Sequence, residues 1–199
     1  MKHVSIAVLV LALIVASVGP VAATTITAPT IDVTLSVLDA FQLIVDVRKD
    51  NPPTFTDVPD TAMAFGNLVV GVGGTLVVAP GESRVAFINV INNAGTQYTI
   101  NANATTLTRA GGSETIPDGA YVSNVNKSNA GDPGTVTDPP TTGVGNLLIF
   151  TSNATGAQTQ IEDHRTITDD PALGATSFVP QTQKAGNYAG TLIYSATRP

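Results

Sequence analysis

Apolar and polar side chains alternate along much of this chain with a period of two, the spacing of a β-strand that buries one face. Ile31, Val33, Leu35 and Val37 alternate with Asp32, Thr34 and Ser36, and Phe41, Leu43, Val45 and Val47 keep the same odd parity. Pro52 and Pro53 end that run. Two short apolar runs, 63–70 and 74–80, flank Gly71, Gly73 and Gly74 and predict a tight connection between strands. Residues 84–91 are apolar on both parities, as in a central strand covered on both faces. After the turn-forming residues 92–95, Tyr98, Ile100, Ala102 and Ala104 alternate with Gln97, Thr99, Asn101 and Asn103. That pattern predicts a hairpin over 84–104 with one wet face.

The alternation thins from 106 to 143, where glycine and proline punctuate the chain and only residues 120–125 read as a strand. So long a stretch is expected to be a surface excursion with some pairing of its own. Residues 144–150 read as a buried strand, 158–167 as a polar edge strand and 168–184 as a loop. The closing run places Tyr188, Gly190, Leu192, Tyr194 and Ala196 on one face. About eight to ten short strands, with no helical pattern after the first segment, predict an all-β antiparallel immunoglobulin-like β-sandwich. A closed barrel is the alternative.

Composition changes this picture in three places. First, 199 residues with 43% hydrophobic content suit a single core, and charged residues are only 12%. Threonine, asparagine, serine and glycine make the polar surface instead. The formal net charge of -6 repels phosphate backbones and anionic lipid, which excludes nucleic acid as a partner. Second, Lys2 and His3, the apolar run 4–18 and the small residues Val21, Ala22 and Ala23 have the layout of a secretory signal helix. Residues 1–23 are the expected signal and 24–199 the mature domain, secreted or held at the cell surface. An uncleaved signal would be its only membrane contact. Third, there are no cysteines, so disulfides and thiolate zinc are excluded, and an exported chain must be held by its core, an ion or its neighbours.

Catalytic chemistry finds little support. His164 is the only histidine after the signal, and no G-x-S-x-G elbow occurs. Tryptophan is absent, so a sugar-processing cleft would lack its usual aromatic platform. The chain is therefore expected not to be an enzyme and to need no cofactor. Calcium is the one ion its loops could take, through Asp132, Asp138, Asp163, Asp169 and Asp170, with Glu162 beside them. Asn103, Asn126 and Asn153 each open an N-x-[ST] triplet. An internal isopeptide bond needs an apolar-facing lysine, whereas Lys49, Lys127 and Lys184 read as loop residues. What remains is interaction. Segment 25–37 has the length and parity to add a strand to a sheet, through Ile31, Val33, Leu35 and Val37, either in its own chain or in a neighbour. The expected partners are further copies or another surface protein. A wall-polymer or glycan-binding module is the alternative, with exposed tyrosines such as Tyr121 lining its groove.

The signal, the early alternating strand, Ala64, Phe65 and Gly66, and the closing stretch 185–196 together resemble secreted bacterial surface sandwiches. That loose group includes fimbrial subunits, spore-coat-U-like domains and WxL-type domains. Tyr194 stands where a WxL signature has tryptophan, and the fimbrial cysteine pair is missing. The resemblance thus implies architecture and location, with fibre, coat or adhesive use, and assigns no residue a wall-binding role.

Overall fold

The computed structural model describes residues 39–56, 62–71, 73–137, 142–168 and 176–199. In chain order the strands are β1 (Phe41–Lys49), β2 (Leu68–Val70), β3 (Thr75–Val78), β4 (Arg84–Asn92), β5 (Thr99–Ala104) and β6 (Thr108–Arg109). A 3-10 turn, Asp118–Ala120, leads into β7 (Tyr121–Lys127). There follow β8 (Thr135–Val136), β9 (Gly145–Thr151), β10 (Gln160–Ile167), β11 (Val179–Pro180), β12 (Tyr188–Ala189) and β13 (Leu192–Thr197). Among the described residues all strand pairings are antiparallel. The described residues are all-β and sandwich-like.

Two four-stranded sheets carry the architecture, one ordered β1-β4-β10-β7 and the other β13-β5-β9-β8. Their inner faces share one core. Val47, Ala86, Ile88, Val90, Val125 and Ile161 from the first sheet meet Ile100, Ala102, Ile149 and Phe150 from the second, with Tyr98 beside them. The odd parity of β1 and the even parity of β5 are what bring those side chains inward. β9 fits the core by a bulge: Ile100 faces Phe150 while Asn101 faces Leu148, so Ile149 is the extra residue and both Ile149 and Phe150 are buried. A second cluster lies around Val78, Ile116, Ala120, Tyr121, Ile167 and Val179, next to the smaller sheet β11-β3-β2. The predicted tight connection at Gly71–Gly74 is the β2–β3 hairpin.

Three expectations are corrected. The 84–104 hairpin does not exist, because β4 pairs with β1 and β10 while β5 pairs with β13 and β9. The asparagine- and glycine-rich turn carries the chain from one sheet to the other. Local pattern reports a reversal, and a reversal within a sheet looks the same in sequence as a crossing between sheets. The strand expected at 120–125 is found as β7, but it is part of a large sheet, bonded to β10 over seven register pairs, rather than pairing within a surface excursion. Finally, the polar strand expected at an edge is β10, which lies between β4 and β7.

The crossings β4→β5 and β9→β10 pack at the same end of the sandwich. Asn92 Nδ2 donates to the Thr96 carbonyl at 2.8 Å and to the Gly156 carbonyl at 3.3 Å. Gly156 has φ of +61°, and a Cβ there would lie 1.9 Å from the Thr96 carbonyl oxygen, so only glycine fits. At the same end Arg198 grips Asp39 through both guanidinium nitrogens and stacks over the Phe41 ring at 4.9 Å. That contact ties the last residues of the chain to the start of β1. Leu38–Pro199 forms one compact unit; the strand-addition residues Ile31, Val33, Leu35 and Val37 lie outside the described residues.

Candidate functional site

β10 shows how alternation places chemistry. Ile161, Asp163, Arg165 and Ile167 point inward and are buried, whereas Glu162, His164 and Thr166 point outward. Asp163 and Arg165 are fully buried. Asp163 accepts from Ser123 Oγ at 2.5 Å, Arg165 Nε at 2.8 Å and the Tyr194 hydroxyl at 2.7 Å. Arg165 also donates from Nη1 to the Gly143 carbonyl at 2.8 Å and lies 5.3 Å from the Tyr121 ring centroid. A Cβ on Gly143 would come within 3.0 Å of Arg165 Nη1 and of the Tyr121 carbonyl oxygen, which reserves that position for the smallest residue. Burial holds the Tyr194 hydroxyl protonated far above its ordinary range, and the Asp163 charge adds to the effect. Burial also raises Tyr121.

This network revises two sequence readings. Asp163, expected as a loop ligand for calcium, is spent inside the sandwich on three hydrogen bonds. Tyr121, expected to line an exposed sugar groove, is 4% exposed and packs edge-on against Phe65 at 5.9 Å. The signal for the network was present: Asp163 and Arg165 share parity with Ile161 and Ile167. A charged pair between two inward isoleucines is paired and buried or it is not stable.

His164 lies on the outer face of β10. Its Nδ1 is 2.9 Å from Asp50 Oδ2 and its Nε2 is 3.1 Å from Glu162 Oε2. Both ring nitrogens are thus engaged by carboxylates, a geometry that ties the turn after β1 to β10 and puts no hydroxyl nucleophile on the ring. The same turn covers part of this face. Phe55, at φ of 41°, packs edge-on against Phe87 at 5.3 Å, with Arg48 over the same ring at 5.1 Å.

The remaining candidates within the described residues, Asp132 and Glu162, have other partners. Asp132 sits in the turn after β7, where its backbone carbonyl accepts Lys127 Nζ at 2.6 Å. Glu162 is engaged by His164, and Asp138, Asp169 and Asp170 lie outside the described residues. Among the described residues no group of three or more His, Cys, Asp or Glu side chains is placed to hold a metal. Lys49 and Lys127, expected in loops, end β1 and β7 and are bound to Glu82 and to the Asp132 carbonyl. Lys184, in a loop as expected, joins Arg109 on Glu114; these hydrogen bonds, Lys184's first, draw the Glu114 carboxyl down to about 2.

The surfaces that differ most are the outer faces of the two large sheets. On β1-β4-β10-β7 the outward positions include Asp46, Arg48, Glu162 and His164. On the opposite sheet β13 presents Ile193, Ser195 and Thr197, preceded by Thr191. β5 presents Thr99, Asn101 and Asn103, followed by Thr105. β9 presents Asn146, Leu148 and Thr151, and β8 presents Thr135. None of these is ionisable. Thr197, Thr99, Thr151 and Thr135 face one another in a row across all four strands, and Ile193 and Leu148 are 60% and 43% exposed.

The chain matches no protein-family model, no curated protein and no solved structure. Among the described residues no helix is long and apolar enough to cross a membrane.

Proposed function

We infer that the protein is a secreted structural or adhesive subunit of the cell surface that assembles by strand addition through segment 25–37. The observation that carries this reading is the edge of β13. Among the described strands β13 pairs with β5 alone, and its six residues carry no charge and no proline. Such an edge accepts another strand readily. The other edges are less open: β1 bears Asp46, Arg48 and Lys49, with the Lys49 amide already donating to the Thr56 carbonyl; β7 ends in Lys127 and its Tyr121 carbonyl already accepts the Gly143 amide; and β8 has two residues.

We read the sandwich as immunoglobulin-like, with β1, β4, β10 and β7 as strands A, B, E and D, and β5 and β13 as C and F. On that reading the β8–β9 hairpin is an addition beside C, and the position beyond F, where strand G would lie, is the open edge of β13. Segment 25–37 has the alternation to fill it.

Size analysis of residues 24–199 against 38–199 tests the reading. Self-association that is lost on truncation, with an unchanged melting curve, is the expected result. A monomer in both forms, or collapse of the shorter one, overturns it, because the segment would then be absent from assembly or an ordinary internal strand.

A further inference from the structure

We propose that the outer face of the sheet β13-β5-β9-β8 is a second, lateral contact between copies of this chain. The whole chain carries -6, and without Lys2 and the rest of the signal each copy keeps 15 acids against 8 bases, so copies repel wherever ionisable side chains meet. This broad strand surface has none. Its outward side chains are threonine, asparagine and serine around the exposed Ile193 and Leu148, groups that can hydrogen-bond to the same groups on a second copy and bury two aliphatic side chains. A self-complementary patch of that kind forms an isologous contact about a twofold axis.

The area sets its strength. Strands of six, six, seven and two residues, about 4.8 Å apart, cover roughly 330 Å² in projection, less than half the ~800 Å² that each partner gives to a standard interface. A lone dimer would be weak. Repeated along copies already linked by strand addition, the same contact gains from high local concentration, and that gain rests on the reading above. The outward face of β1-β4-β10-β7, with its acids, Arg48 and the covering turn at Phe55, offers no comparable match.

The absence of cysteine makes a direct test clean. In the full mature chain, Asn101→Cys places a thiol near the centre of the face, and Asn126→Cys places one on the opposite outer face as a control. Under mild oxidation Asn101→Cys is expected to form disulfide dimers about tenfold faster than the control, since contact raises effective concentration. The rate should rise with salt as the repulsion is screened. Adding Leu148→Lys, on the inner strand β9 and away from the β13 edge, should abolish the difference at an unchanged melting temperature. Equal rates for the two thiols overturn the proposal. So does a glycan on Asn103 of protein from its native source, which would cover the face, or protection of the Asn101→Cys thiol by insoluble peptidoglycan, which would make polymer the occupant. Because the readout is a crosslink across the face, loss of strand addition through segment 25–37 leaves it interpretable.

Discussion

The two large sheets are built from the same alternation and differ in where they put their charge. In β1-β4-β10-β7 the central strand β10 carries an ion pair inward and an acid-histidine pair outward. In β13-β5-β9-β8 the inward side chains are apolar apart from the Tyr194 hydroxyl, and the outward ones are uncharged throughout. Charge inside a sheet must be matched with geometry and is costly to disturb. Absence of charge outside leaves a surface that resists substitution little and repels a second copy little.

The largest test of this contrast is Asp163→Ala, which leaves Arg165 buried without its partner. A loss of about 3–5 kcal/mol in urea unfolding is expected. Asp163→Leu combined with Arg165→Met should recover most of that loss, because the unpaired charge goes with its partner; if the double variant is as unstable as the single, the pair is more than a matched set. Gly143→Ala should cost about 1–3 kcal/mol by pushing on the Arg165 guanidinium and the Tyr121 carbonyl.

The next effect is alkaline. Tyr194 and Tyr121 have folded pKa values raised above their unfolded ones, chiefly by burial. The unfolded chain therefore releases these protons first, so their contribution to stability is complete below about pH 10 and is lost as pH rises towards the folded values. Melting temperature should fall more steeply above that pH than in Tyr194→Phe.

An acid effect of smaller size comes from Glu114. Its folded pKa of about 2 lies below the ordinary 4.5, so its contribution is present above the ordinary value and disappears as pH falls towards about 2. Glu114→Gln should remove that part of the acid dependence and leave the midpoint at neutral pH little changed. The smallest effect belongs to the uncharged face: Thr151→Ala should stay within about 0.5 kcal/mol of the parent. A larger change would mean the threonine row supports the monomer itself.

Much of the strand content was legible because parity is local. The odd parity of Phe41 to Val47, the even parity of Tyr98 to Ala104 and the closing face of Leu192, Tyr194 and Ala196 can each be read from a few neighbours in sequence, and each is found in the fold. Asp163 was misread because its neighbours Glu162 and His164 make the run look polar, and only the alternate positions show which half is inside. Tyr121 opens the strand read at 120–125, but its exposure does not follow from that strand alone, because the partner that buries it, β10, lies about forty residues further on.

By itself the sequence determined that this is a chain of short strands without staples, low in charge, with one face of each strand prepared for burial. Those properties follow from side-chain chemistry and a two-residue repeat, and both act over short distances. Only the tertiary structure decided that β4 and β5 part into different sheets, that β10 is central and that the second sheet has an uncharged outer face. Pairing is chosen by main-chain hydrogen bonds that every residue but proline can offer, so nothing in a strand's own letters names its neighbour.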